Sequence, residues 1–100
     1  MNKFAVIGNP INHSLSPMIH NEFSKQFGIK ISYEKLLSPI GDFELTAEKF
    51  IKNGGCGFNI THPFKIDAYS LSEELTSNAK VAEAVNTIKI VNNVIFGENT

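Results

Sequence analysis

Apolar residues in this chain fall in short blocks whose period switches between two and about four. Phe4-Ala5-Val6-Ile7 is a continuous apolar run within Lys3 to Gly8, a short buried strand stopped by the turn-forming Gly8-Asn9-Pro10. Ser16-Pro17 then opens a helix, serine as N-cap and proline at the first position. Ile19, Phe23 and Phe27 lie at i, i+4 and i+8 along it, and Gly28 ends it. A weakly alternating second strand runs from Lys30 to Leu37. Ser38-Pro39-Ile40-Gly41-Asp42 turns into another capped helix with Phe43, Ala47, Phe50 and Ile51 on its buried face, ended by Gly54. Cys56 to Ile60 is a third strand, followed by a helix with Phe64, Ala68 and Leu71 at helical spacing. Glu73 to Glu83 reads as one more helix, with Leu75, Ala79 and Ala82 on one side. Val85 to Val91 and Val94 to Phe96 are strands around Asn92-Asn93, two residues that tolerate the positive φ of a tight hairpin.

Strand and helix in alternation predict an α/β fold: a three-layer αβα sandwich whose mostly parallel sheet carries an antiparallel hairpin strand at its C-terminal end. One hundred residues suit one domain, taken as 1–100, and are thin for two. No repeat, linker or low-complexity tract interrupts it. The chain leaves its last strand at Gly97-Glu98-Asn99-Thr100 with nothing to cap or stop it, so it reads as cut short.

The rest is organised around Asn59-Ile60-Thr61-His62-Pro63-Phe64-Lys65, where the third strand runs directly into a helix. Pro63 suits the first helical position, with Thr61 or His62 as N-cap, and Lys65 then sits in the first turn. A cation there opposes the helix macrodipole by about 0.3–1 kcal/mol. That field, with partial burial, would lower the ammonium pKa toward the range of a proton-transfer group. Taken alone, a capped helix with a solvated lysine explains the stretch better.

A formal net charge of −1 and pI near 6.3 give no electrostatic footprint for nucleic acid, and no basic run marks a membrane surface. The apolar runs are too short to span a bilayer, and the N-terminus lacks the length and cleavage site of a signal peptide. One cysteine, Cys56, permits no internal disulfide and fits a reducing, cytoplasmic setting as a packed structural thiol. His13, His20 and His62 have no metal-ligand spacing with each other or with Cys56, so no metal is expected. Neither a G-x-G-x-x-G nor a G-x-x-x-x-G-K-[ST] motif is present, which leaves dinucleotide or triphosphate binding by these residues unsupported. Ser14 and Ser16 have no nucleophile-elbow setting.

What remains polar gathers at strand ends. Ser14 and Ser16 follow the first strand, Asn59, Thr61 and Lys65 follow the third, and Asn86 opens a later one. In an open α/β sheet, ligands bind beyond the carboxyl ends of the strands. Hydroxyls, amides and one ammonium suit a small polyhydroxylated carboxylate better than an apolar ligand. Two serine hydroxyls beside a helix N-terminus would cradle its carboxylate. Each residue also has a plain structural role available: Ser16 as a cap worth about 1 kcal/mol, Ser14 as a loop hydroxyl, Asn86 as a partner for edge backbone.

Gly8-Asn9-Pro10-Ile11-Asn12-His13-Ser14-Leu15-Ser16-Pro17 resembles the N-terminal signature of shikimate dehydrogenases. Asn59-Ile60-Thr61-His62-Pro63-Phe64-Lys65 resembles their catalytic-lysine motif, Ala84-Val85-Asn86-Thr87 a third motif, and Gly97-Glu98-Asn99-Thr100 the start of a fourth. Four segments in order cover the whole chain. The resemblance implies the NADP-dependent interconversion of 3-dehydroshikimate and shikimate in aromatic amino-acid and chorismate biosynthesis. It implies that Ser14 and Ser16 hold the substrate carboxylate and that Asn59, Thr61 and Asn86 contact ring hydroxyls. Lys65 would be the acid/base group, stabilising and protonating the oxygen that gains charge during reduction.

The aspartate that follows the fourth motif in the family lies past Thr100, and the Rossmann domain that would bind NADP is also absent from these residues. The chain therefore resembles the substrate-binding domain, expected to belong to an active parent and to be inactive by itself. Alternatives are a quinate/shikimate dehydrogenase, possibly using NAD, and a non-catalytic module that binds a hydroxylated carboxylate. Partners beyond the small-molecule substrate are not expected, and either monomer or homodimer fits.

Overall fold

The computed structural model describes residues 2–11, 25 and 31–100. The expected helix after Ser16, with its stripe of Ile19, Phe23 and Phe27, lies outside the described residues except for Lys25, which is helical. The described elements are β1 (Asn2–Gly8), β2 (Ile31–Leu37), α1 (Phe43–Lys52), β3 (Gly55–Ile60), α2 (Lys65–Leu71), β4 (Glu74–Leu75), α3 (Ser77–Ala82), β5 (Thr87–Val91) and β6 (Val94–Glu98).

All six strands join one mixed sheet in the order β2-β1-β3-β5-β6-β4. The pairs β1–β2, β1–β3 and β4–β6 are parallel, while β3–β5 and β5–β6 are antiparallel. The hairpin turns at Asn92 (φ 50°) and Asn93 (φ 66°), as the two asparagines predict. Because β5 and β6 reverse direction in turn, the start of β5 and the end of β6 share an edge with the carboxyl ends of β1, β2 and β3.

Side-chain alternation splits the strands between two faces. Ala5, Ile7, Phe58, Ile60 and Ile88 face one way and pack on Phe43, Ala47 and Phe50 of α1, with Phe64, Ala68, Ala79 and Val85 completing the core. Phe58 is fully enclosed, edge-on to Phe43 (ring centroids 6.5 Å apart) and to Phe50 (6.0 Å), and Phe64 stacks on Phe43 at 5.3 Å. Offset and edge-on contacts of this kind add about 0.5–1.5 kcal/mol each to the burial itself. Phe4 and Val6, on the other face, are also buried.

Three expectations about the helices change. The single helix over Glu73 to Glu83 is instead the strand β4 followed by the short α3. Backbone donors decide this: Glu73 N–H donates to Ile95 O (2.9 Å) and Thr76 N–H to Gly97 O (3.0 Å), so the segment pairs with β6. The Thr76 hydroxyl then accepts from Ala79 N–H and caps α3 (3.3 Å). Glu83, in the left-handed region at φ 52°, ends it, and Ala82 is exposed rather than buried. At α2, Pro63 is not the first helical residue. Phe64 is the N-cap and Lys65 opens the helix, so neither Thr61 nor His62 caps it. Asp42, at the N-cap of α1, makes no side-chain capping bond.

Candidate active site

The carboxyl edge of β1 and β3 is built on a backbone close approach. A Cβ on Gly8 would collide with Thr61 Cγ2 and lie 3.3 Å from His62 O, so glycine lets the two strand ends come together with Thr61 in its observed place. Thr61 N–H donates to Ile7 O and Asn9 N–H to His62 O, both at 3.0 Å, lacing the two exits. The β2 exit joins them: Ser38 N–H donates to Gly8 O (3.2 Å) and Asn9 Nδ2 to Ser38 O (3.0 Å). Buried Ser38 meets Thr46 of α1 hydroxyl to hydroxyl at 3.0 Å. The Asn9–Pro10 and His62–Pro63 peptide bonds are cis.

On this frame Thr61 is half-buried and Lys65 exposed, the latter at the first position of α2. The partial burial expected of Lys65 is thus not found. Its position is: Lys65 O accepts from Val85 N–H at 2.9 Å, which ties the start of α2 to the residue before Asn86.

Asn86 is held from every side. Its N–H donates to Glu98 O (3.0 Å), and its carbonyl accepts from Ile60 N–H (2.9 Å). Its Nδ2 donates to Thr100 O (3.2 Å) and to Thr100 Oγ1 (3.3 Å). Its Oδ1 accepts from Thr87 Oγ1 (3.0 Å) and Thr100 N–H (3.2 Å). An amide offers two donors and two acceptor lone pairs, so the side chain of Asn86 is fully engaged inside the chain. A ring hydroxyl would reach it only by replacing a bond to Thr100.

Asn59 differs. Its Nδ2 donates to Thr87 Oγ1 (3.3 Å) and Asn86 O (3.5 Å), while its Oδ1 is buried with no hydrogen-bond partner among the described residues.

Four of the six expected site residues, Asn59, Thr61, Lys65 and Asn86, therefore stand along one sheet edge. Ser14 and Ser16 lie outside the described residues. Sequence reasoning gave no site role to Thr87, Gly8, Asn9 or Ser38, although the first three stand within the motifs quoted above. Its place in the Ala84-Val85-Asn86-Thr87 motif was the signal for Thr87, while its position opposite Asn59 comes from antiparallel register. Among the described residues no group of three or more His, Cys, Asp or Glu side chains is placed to hold a metal ion, and no helix is long and apolar enough to cross a membrane. Nor do these residues fit a dinucleotide. β1 exits through Gly8-Asn9-Pro10 rather than through a glycine-rich turn into a helix, and the close approach at Gly8 is filled by Thr61.

Residues 6–88 match the family described as the shikimate dehydrogenase substrate binding domain. The whole chain is 60% identical over 100 residues to the NADP(+) shikimate dehydrogenase of Vesicomyosocius okutanii subsp. Calyptogena okutanii (strain HA) and spans 38% of that protein's length. Among solved structures, an Ael1 enzyme from Pseudomonas putida superposes with a TM-score of 0.89 at 37% identity, over 99% of this chain and 36% of that one. The shikimate 5-dehydrogenase of Thermus thermophilus in complex with shikimate gives 0.84 at 32% identity, over 99% of this chain and 38% of the other. With residues 6–88 of its 100 matched by the family, the chain belongs to the shikimate dehydrogenase substrate-binding domain family.

Proposed function

We propose that this chain is the substrate-binding half of an NADP-dependent shikimate dehydrogenase, reducing 3-dehydroshikimate to shikimate in a cytoplasmic biosynthetic route. The carrying observation is the convergence of Asn59, Thr61, Lys65 and Asn86 on the carboxyl edge of the sheet. Lys65 is the acid/base group. At the head of α2 its flexible stem presents three N–H donors to the reacting oxygen, which gains negative charge as the carbonyl is reduced and then takes the lysine proton. In the reverse direction the same nitrogen, deprotonated, receives the hydroxyl proton.

Ser14 and Ser16 bind the substrate carboxylate through their hydroxyls, and Asn59 and Thr61 take ring hydroxyls. Asn86 contributes mainly by holding the edge together, because its amide is already satisfied. NADP belongs to the part of the relatives that this chain does not span, and no residue here is assigned to it. A net charge of −1 and a free Cys56 support a cytoplasmic protein with no nucleic-acid partner.

An amide NMR titration with shikimate, then quinate, tests the reading. Saturable shifts at Thr61, Lys65 and Asn86 with tighter binding of shikimate are expected. Tighter binding of quinate would move the assignment to a quinate-using enzyme. Failure of the full-length parent to bind either compound would refute the proposal.

A further inference from the structure

Thr87 shares an antiparallel rung with Asn59 and points to the same face of the sheet. Its residue is almost completely buried, at 8% exposure. A hydroxyl has one proton and two lone pairs. The proton goes to Asn86 Oδ1 (3.0 Å), the end of the amide turned toward Thr87, while Asn86 Nδ2 is turned to Thr100. A lone pair is therefore what faces Asn59 at 3.3 Å, and it selects the NH₂ end of that amide. Asn86 O, an acceptor, makes the same selection at 3.5 Å. Turning the Asn59 amide over would set oxygen against two oxygens.

We infer that Thr87 is a positioning residue: its hydroxyl relays the fixed orientation of Asn86 to Asn59 and so holds Asn59 Oδ1 as the free acceptor of the site. The inference rests on the shikimate reading proposed above and goes further by distinguishing the two asparagines. Asn86 is saturated within the chain, whereas Asn59 Oδ1 is enclosed and unmatched among the described residues. An unmatched buried acceptor is costly until a donor arrives. A substrate hydroxyl that donates to it thus gains more than one that meets a solvated amide, and an analogue lacking that hydroxyl is rejected. Thr87 touches no substrate in this scheme and acts through Asn59.

The test uses the intact protein with asparagine labelled in its side-chain amide, and shikimate as the probe. Thr87→Val keeps the shape and removes both hydrogen bonds, and Thr87→Ser restores them. In the absence of shikimate, the Asn59 Nδ2 resonances should move in the valine variant and return in the serine variant. The Kd for shikimate should rise by about tenfold or more in Thr87→Val and recover to within about threefold in Thr87→Ser. In turnover the valine change should raise KM and spare kcat, as expected for binding that is equal in ground and transition states. In an Asn59→Ala background, Thr87→Val should cost almost nothing further. Should the valine variant not fold, Thr87→Ala serves the same arms.

Unchanged Asn59 resonances and unchanged affinity in the valine or alanine variant would overturn the inference. So would a full additive loss in the Asn59→Ala background. If the unsubstituted protein itself does not bind shikimate, the functional proposal fails, and the substrate-free resonances still decide the role of Thr87.

Discussion

The close approach at Gly8 gives the sharpest link between the fold and the site. In Gly8→Ala, the added methyl overlaps Thr61 Cγ2 and lies 3.2 Å from Ile11 Cδ1 and 3.3 Å from His62 O. Backbone on both sides is pinned by Thr61 N–H to Ile7 O and Asn9 N–H to His62 O, each 3.0 Å, so the strands cannot simply part. Relief has to come from rotation of the Thr61 side chain or from loss of one of these bonds. Overpacking of this kind costs about 1–3 kcal/mol, and a domain of this size loses about 4–8 °C of Tm for each. Either route moves the Thr61 hydroxyl, so affinity for shikimate should fall in parallel. Gly41→Ala is the control. Its φ of +91° makes any side chain strained, but nothing lies within 4 Å of the new methyl. It should destabilise by about 1–2 kcal/mol while leaving affinity unchanged. Thermal melts and shikimate titrations on the three proteins give the result directly. A Gly8→Ala variant that melts within about 2 °C of the parent and binds shikimate equally well would show that the two strand ends are not held as described.

Other expectations are simpler. Lys65→Ala in the full-length parent should lower kcat by about 10²- to 10⁴-fold with a much smaller change in KM; steady-state kinetics with kcat retained would remove Lys65 from its acid/base role. Phe58→Ala should cost about 3–5 kcal/mol in urea unfolding, since the ring is fully enclosed between Phe43 and Phe50. Burial pushes the Tyr33 phenol above its ordinary value of 10.0, so the folded chain keeps a proton that the unfolded chain releases. The associated stability is intact below that value and declines as pH rises past it. Tyr33→Phe should therefore flatten part of the alkaline fall in stability, and parallel alkaline unfolding curves for the two proteins would contradict this.

Local chemistry along the chain was enough for most of the scaffold. The apolar run at Phe4 to Ile7, the face formed by Phe43, Ala47 and Phe50, and the Asn92-Asn93 turn each depend on neighbours in sequence, and each is found as read. The motif around Lys65 is equally local: a strand end followed by a helix start places Thr61 and Lys65 at the sheet edge whatever lies further away.

Long-range hydrogen bonding decided the rest. Leu75 and Ala79 have helical spacing, yet free donors at Glu73 and Thr76 found β6, and a strand replaced the first turn of the expected helix. Composition could list Asn59 and Asn86 as equal candidates, but it could not see that Thr100 engages one amide while the oxygen of the other is unmatched among the described residues. That difference is set by the pairing of Asn59 with Thr87 across an antiparallel rung, 28 residues apart in sequence. Sequence alone thus determined which residues could reach the carboxyl edge, because period and turn chemistry are local. Only the tertiary structure decided which of their polar atoms remain for a ligand, because each such atom is satisfied or left over by a partner that sequence spacing does not reveal.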